Sequence, residues 1–552
     1  MPKFYTLFKT ILFGLIGLMS FNNTVSAQTT TWDGTIWDAG APDNSKDAIF
    51  NANYSSVIDF AAKTVLITNN SLVTISSGHT FTVDNNINIA AGSSLVFENN
   101  ASLLQINAAA INTGNITFKR NATAMREFEY TYWSSPVTGQ TLAGFSPLTD
   151  PDRYFSFDTA ANTWVSENGS NTMIPGKGYA ISAPDDYTPT PQIFNGEFTG
   201  NPNNGNITAG VIIHNPALLD YNLLGNPYPS AISVVSLINN TTLGTLYFWT
   251  HNTAITNNSF SSNDYAIRTK FVGTQAVTGG SVPGAYVASG QGFFASSSAT
   301  GTITFTNTMR VSGNNSQFFK NTETTQTDPQ YYYTWLNMTN TGGAFKQLAF
   351  GYEEGATNGY DFGTDAAAAP GTFINFYSLI GTTGYAIQGR AFPWNITDQI
   401  ALGYSTTIVG PFDITLDHND TFFDSKDIFL QDLTTGTVHN LKTGPYTFNT
   451  AIGTFNSRFV IHYVNPLLSN EAHVLDTNTV AASAKNNVIT IESTLVKIKS
   501  IEVYDLLGRL LFETNNLNQN QYVISTLTAK NQALAVKIKL ENNQTVIKKL
   551  MN

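Results

Sequence analysis

Few residues in this chain are spaced for chemistry. Glu353-Glu354 is the first candidate pair, because hydrolysis of a glycosidic bond needs two carboxyl groups held roughly 5 to 10 Å apart across a cleft. Both close an alternating run, KQLAFGYEE, and neighbours on a regular strand point to opposite faces. The two glutamates therefore cannot serve one substrate. Asp361 and Asp365 in TNGYDFGTD, and Asp417, Asp420, Asp424 and Asp427 in DHNDTFFDSKD, offer the oxygens a hard cation such as calcium takes. Neither run has the twelve-residue spacing of an EF-hand, and solvated turns account for both. The seven histidines (His79, His214, His251, His418, His439, His462, His473) stand singly, and with no cysteine the chain has no thiolate zinc ligand or thiol nucleophile. No Gly-x-Ser-x-Gly elbow, His-Glu-x-x-His pair or Gly-rich phosphate loop occurs. The expectation is a chain that is no enzyme, with no catalytic residue, metal ligand or cofactor.

Aromatic side chains are the other chemical resource. Trp133, Tyr179, Tyr228, Trp249 and Phe293 stand beside glycine and proline in YTYWSSPV, PGKGYAI, YNLLGNPYPSAI, LYFWTHNT and ASGQGFFA. Flat faces of this kind stack on sugars, which makes a secreted carbohydrate-binding or carbohydrate-degrading protein the alternative reading. Core packing explains them more simply: glycines mark places where a strand turns or another backbone comes close, and the adjoining rings fill the space. Asn226-Pro227-Tyr228-Pro229 reads as a rigid turn suited to a cis peptide bond.

The elements that must hold these residues read as strands throughout. Charged residues make up only 12% of the 552, aromatics another 12%, and the turns are rich in Asn, Thr, Ser and Gly; the fold class expected is all-β. Residues 28–118 carry short strand signals at LVTIS, HTFTV, INIA, SLVFE and SLLQI, which suit the rungs of a short β-solenoid or a sandwich. Residues 119–320 and 331–465 read as two central β-sandwich, jelly-roll-like modules, the second antiparallel and containing a hairpin at Thr435-Gly436. The polar stretches 321–330 and 466–486 separate the modules as linkers. Residues 487–552 alternate as two hairpins, one turning at Leu507-Gly508-Arg509 and one at Glu541 to Gln544. Net charge is −11, so nucleic acid is not an expected partner, because phosphate binding needs clustered Lys and Arg.

The N-terminus has the parts of an export signal: Lys3 and Lys9, an apolar run from Ile11 to Met19, and Val25-Ser26-Ala27 before Gln28. Cleavage is expected between Ala27 and Gln28. The run is too short for a membrane anchor, no later segment reaches about 18 apolar residues, and the mature chain is expected to have no transmembrane span.

At the other end, Val503-Tyr504-Asp505-Leu506-Leu507-Gly508-Arg509 is followed by Lys537-Ile538-Lys539-Leu540 and a last strand carrying Lys548 and Lys549. This block resembles the C-terminal sorting domain of type IX secretion cargo. The resemblance implies a small Ig-like β-sandwich recognised by an outer-membrane translocon, with release outside the cell or attachment to surface lipopolysaccharide. It points to Tyr504, Asp505, Gly508, Arg509, Lys537, Lys548 and Lys549 as recognition residues. Asn531-Gln532-Ala533-Leu534-Ala535-Val536-Lys537 departs from the commonest G-x-Y-x-V-K form and is similar to a second sorting subclass. Asp158-Thr159-Ala160 resembles the O-glycosylation acceptor of the same bacteria. By these resemblances the protein is a secreted or cell-surface structural or adhesin-like component, with extracellular glycans as further partners.

Overall fold

Short alternating runs closed by Asn, Gly and Ser corners can pair with the next hairpin strand or with the next turn of a coil; in the first part of this chain they do the latter. In the computed structural model, Lys46–Phe50, Thr64–Ile67 and Ile87–Ile89 pair in parallel along one face. Tyr54–Ser55, Leu72–Ile75 and Ser94–Phe97 pair in parallel along a second, and Phe60–Ala62, Thr80–Val83 and Ser102–Gln105 along a third. Three stacked rungs with like residues in register, Val65 opposite Ile87 and Phe60 opposite Phe81, make this a β-solenoid and decide against the sandwich. Asn69, Asn70 and Asn100 take left-handed corners, with φ of 58°, 56° and 69°, a conformation that asparagine tolerates better than most residues. Inside, Phe50, Ile67, Ile75, Phe81, Val83 and Phe97 are fully buried.

The structure describes residues 28–213, 221–254, 264–317, 331–369, 371, 373–466, 480–485, 488–493, 496–527, 532–541 and 545–551. The expected signal segment with Ala27, the linker 321–330, most of the linker 466–486, the turn residues 542–544, His214 and His473 lie outside them.

The solenoid merges with the sheets on its C-terminal side. Strand Ile116–Met125 continues the coil in parallel with Ser94–Phe97 and pairs antiparallel with Gln192–Pro202, so the boundary expected at 118 falls within a strand. One core runs from Ala48 in the coil to Ala288. The last coil strand, Ser102–Gln105, is capped by polar groups from far along the chain. Asn315 Nδ2 donates to the Ala101 carbonyl at 2.7 Å, Arg310 to the Leu103 carbonyl at 2.6 Å, and the Leu103 N–H to the Pro229 carbonyl at 2.7 Å. These donors and acceptors take up backbone groups that an open sheet edge would leave unpaired.

Beyond the coil, Tyr130–Trp133, Tyr179–Ser182, Tyr154–Asp158 and Thr163–Ser166 form a four-stranded sheet. Asn222–Gly225, Gly292–Ser297, Leu243–Trp249, Tyr265–Arg268 and Gly273–Thr274 form one of five. Gly178 and Gly292 permit the close approaches expected of their motifs. A Cβ on Gly178 would lie 2.6 Å from the Leu224 carbonyl oxygen, and one on Gly292 would lie 2.8 Å from the Tyr132 backbone.

Residues from Tyr331 to His462 form a single eleven-stranded sheet. It curls so that strands distant in its order share a core: the Phe448 ring lies 4.8 Å from Phe459 and 5.4 Å from Tyr404. The expected Thr435-Gly436 hairpin joins Phe429–Asp432 to Thr437–Asn440. One pairing departs from the antiparallel expectation, since Phe345–Glu353 runs parallel to Thr383–Ala391. The cis peptide bond also lies elsewhere than expected. Among the described residues it is Phe392-Pro393, and both proline bonds of Asn226-Pro227-Tyr228-Pro229 are trans.

The chain divides into two compact units, the first ending at Tyr463 and the second beginning at Val464. In the second unit a three-stranded sheet, Val480–Lys485, Val488–Ser493 and Gln521–Ile524, shares a core with a four-stranded one. The latter runs in the order Leu510–Thr514, Ile498–Asp505, Ala533–Leu540 and Thr545–Met551. The protein is all-β.

Candidate functional site

The corner at Leu507-Gly508-Arg509 is set by its own residues. Gly508 adopts φ +79° with open space around its α-carbon, so the turn needs glycine for conformation and not for room. Asp505 ends its strand buried and gathers three donors: the Leu507 and Arg509 N–H groups each reach Oδ1 at 2.9 Å, and Arg509 Nε reaches Oδ2 at 2.7 Å. Donation from the Arg509 backbone and side chain holds the Asp505 carboxyl below the usual aspartate range. Arg509 itself stays largely exposed. Leu506 and Leu507 are exposed by 78% and 82% at the tip, with Leu510 and Leu511 beside them.

Strand register assembles the second part of the site. Tyr504 lies opposite Ala535, which lies opposite Lys549; in the next row Glu502 lies opposite Lys537, and Lys537 opposite Ile547. Glu502 accepts hydrogen bonds from the Tyr504 hydroxyl and, at 3.1 Å, from Lys537 Nζ. Those two bonds hold the Glu502 carboxyl down, the Tyr504 bond contributing more, and Glu502 in turn raises Lys537. Tyr504, Lys537 and Lys549 thus share one sheet face, while Asp505, Gly508 and Arg509 form the corner at its end. Lys548 stands apart: it alternates with Lys549, between the inward Val546 and Leu550 that pack on the core. Glu502 is the residue that sequence reading passed over. It stands two positions before Tyr504, on the same side of the strand, and alternation alone could have found it.

The other candidates are dispersed. Glu353 is 1% exposed and accepts from the Tyr333 hydroxyl at 2.9 Å and the Thr364 hydroxyl at 3.0 Å, while Glu354 is exposed, so the two part as strand geometry requires. Asp365 is 2% exposed and accepts from the Gly389 and Asp361 N–H groups at 2.8 and 2.6 Å. Burial outweighs those bonds and lifts its carboxyl to about 7; burial also raises Glu353. Asp417, Asp420, Asp424 and Asp427 turn to separate protein donors: Asn337, the Tyr333 N–H, Asn419 and Asn440. Among the described residues no group of three or more acidic or histidine side chains is placed to hold a metal ion.

Histidines likewise have local partners. His79 meets Ser56, His251 meets Thr123, His439 the Gly444 carbonyl and His462 Gln431, and His418 stacks on Trp335 at 4.1 Å. Trp133, Tyr179, Tyr228 and Phe293 are buried, so four of the five rings proposed for sugar stacking are core, and Trp249 packs half-buried against a core cluster. The Thr159 hydroxyl is buried and donates to the Tyr221 carbonyl at 3.2 Å.

Residues 24–463 match the family model described as "Domain of unknown function (DUF8693)". The chain belongs to that family. Its matched span ends at residue 463, where the first compact unit ends. Residues 468–552 match a second model, "Domain of unknown function (DUF8694)". No curated protein matches the chain. Among solved structures it is similar to Tp47, the 47-kilodalton lipoprotein of Treponema pallidum. Identity is 11% over 40% of this chain and 86% of that one, and the TM-score is 0.13, too slight a likeness to bear on fold or function. Among the described residues no helix is long and apolar enough to cross a membrane.

Proposed function

We propose that this is an exported, cell-surface structural or adhesin-like protein whose C-terminal unit is its sorting domain for type IX secretion. One observation carries the reading: the residues bearing the V-Y-D-L-L-G-R corner and the final lysine-bearing hairpin fold as a compact unit of their own. A sorting signal that a translocon reads after the body has folded must be such a separable unit, with its marks on the surface. Exposed Arg509, Leu506 and Leu507 at the corner, and Tyr504, Lys537 and Lys549 on the adjoining face, fit that requirement. In this reading the translocon is the first partner, and surface lipopolysaccharide or extracellular glycans come after export.

The body supports the structural half of the reading through its architecture. A β-solenoid continuous with curled and stacked sheets makes a rigid scaffold without disulfides. Fractionation of cells, surface and medium tests the proposal. The full chain is expected outside the cell, and a chain ending near residue 478 is expected to stay in the periplasm. Equal distribution of the two would defeat the sorting reading.

A further inference from the structure

Among the described residues, eight other than glycine take a left-handed backbone, and six of them are asparagine. The other two, Phe128 at φ +66° and His251 at φ +40°, stand on either side of one carboxylate. A ring side chain keeps so costly a conformation only where the surrounding structure imposes it, and such places cluster at functional sites. Phe128 lies in the tight turn from Arg126 to Glu129, closed by the Glu129 N–H on the Arg126 carbonyl at 3.2 Å. Glu129 is buried; its Oε2 accepts from the Arg126 N–H at 2.7 Å and its Oε1 from Arg126 Nη1 at 2.9 Å. The same Oε2 lies 3.5 Å from His251 Nδ1, and His251 Nε2 lies 2.7 Å from the Thr123 hydroxyl. Thr123 sits where its strand bulges: Asn121 pairs with Asn195 and Ala124 with Ile193, so Ala122 and Thr123 together face Phe194. A bulge re-aims side chains. Here Ala122 joins the core and Thr123 stays half-buried, open to solvent on one side.

We propose that Thr123, His251 and Glu129 form a hydrolytic triad, with the Thr123 hydroxyl as nucleophile toward oxygen esters of short acyl groups. Each member has the partner its role requires: a hydroxyl within reach of a base, and a base oriented by a third group. Burial opposes the Glu129 charge, but His251 and Arg126 outweigh it and hold the carboxyl below the usual glutamate range. An ionised carboxylate at Nδ1 keeps the imidazole proton on that nitrogen, which leaves the Nε2 lone pair to accept from Thr123. The 3.5 Å spacing is of the kind that tightens when substrate binds. In the reaction the Thr123 oxygen bonds to the ester carbonyl carbon as its proton passes to Nε2. The bond from that carbon to the alcohol oxygen then breaks, and the alcohol leaves with the proton. Water, deprotonated by the same nitrogen, attacks the acyl-threonine; the acid departs and the proton returns to the Thr123 oxygen. The threonine methyl crowds the attacking oxygen, which selects short acyl groups. Thr123 and His251 are the catalytic residues and Glu129 the positioning one. No spacing in the sequence announces them, since Thr123 and His251 are 128 positions apart. The proposal does not rest on the export reading.

The purified full chain is incubated with p-nitrophenyl acetate, release of p-nitrophenol is followed, and mass spectrometry locates the acetylated peptide. The parent is expected to release p-nitrophenol faster than buffer does and to carry the acetyl group on Thr123. Thr123→Ser should keep both. Thr123→Val, which fills the same space without a hydroxyl, should lose both while melting like the parent. His251→Gln should slow the reaction about a hundredfold, the worth of a general base. Glu129→Gln, whose amide oxygen still accepts from Arg126, should lower kcat and kcat/KM by one common factor and leave KM unchanged. An unmodified Thr123 in the parent chain overturns the proposal, whether or not the variants fold. So does release that persists in Thr123→Val, because acetylation of other side chains then accounts for it.

Discussion

The two compact units of this chain treat charge in opposite ways. Residues 28–463 carry 31 acidic side chains against 16 basic ones, whereas residues 464–552 carry seven against nine. In the body, the carboxylates of Glu353 and Asp365 are buried among hydroxyl and backbone donors, and burial raises both. In the C-terminal unit, Asp505 is buried against the Arg509 backbone and side chain and Glu502 is half-buried against Tyr504 and Lys537, and donors lower both. Large cores can hold a costly group because many other contacts offset it. A seven-stranded sandwich has little to spare, and it uses its charged groups to close a corner and tie strands together.

If the units are as separate energetically as they are structurally, calorimetry should resolve two transitions, and core substitutions should move one each. The largest expected effect is in the body. Arg310→Ala removes donors to the Leu103 carbonyl and the Ser230 hydroxyl and empties a buried site against the Tyr228 ring. It should lower the body's stability by about 4 kcal/mol, from two hydrogen bonds to a charged group and the acceptors left unpaired, and should leave the second transition in place. Ile501→Ala, at a fully buried strand position of the C-terminal unit, should cost about 3 kcal/mol. It should act on that unit alone. A shift of both transitions by either substitution would break the comparison.

Acid sharpens the comparison, because the two sets of carboxylates respond with opposite sign. Asp365 titrates near 7 in the folded body and near 3.8 unfolded. The folded state therefore holds the proton more tightly. Its contribution is greatest below the unfolded value and is lost as pH rises through about 7, so lowering pH from 8 to 5 should raise the body's melting temperature. Asp365→Asn should flatten that rise. Asp505 is shifted the other way: its contribution is present above the unfolded aspartate value and disappears as pH falls through the lower folded one. The C-terminal transition should accordingly hold steady between pH 8 and 5 and fall only below about 4. Glu353→Gln, which removes a buried charge while keeping partners for Tyr333 and Thr364, should stabilise the body at pH 8 by about 1 kcal/mol. The smallest effect belongs to Glu502→Gln. Its bonds to Tyr504 and Lys537 face solvent, and the change in the C-terminal transition should stay within about 0.5 kcal/mol.

How much of this was legible in the residues depends on how far apart the partners are. The strand runs at 72–76, 79–83 and 94–98 are strands, and the hairpins at Gly508 and Gly436 turn where alternation and a glycine said they would. Those are local facts. Whether a short strand pairs with its sequence neighbour or with the next rung is not local, and only the parallel register separates the coil from the sandwich. The boundary at 118 was missed for the same reason: a change in composition marks where a pattern changes, not where a core ends, and Ile116–Met125 belongs to both neighbours. At the C-terminal face, period-two alternation suffices to put Lys548 and Lys549 on opposite sides, yet motif resemblance grouped them. Glu502, outside the motif, is what joins Tyr504 to Lys537.

The sequence by itself determined the all-β class, the two final hairpins and the dispersal of Glu353 from Glu354, since each follows from side-chain alternation and turn residues within a few positions. Tertiary structure alone decided that the first strands coil, that Phe293 is core, and that Asp365 is buried deeply enough to hold its proton near neutrality. These outcomes depend on residues brought together from tens to hundreds of positions apart, as Arg310 is with Leu103. No local pattern encodes such pairings, because burial is a property of the packed core.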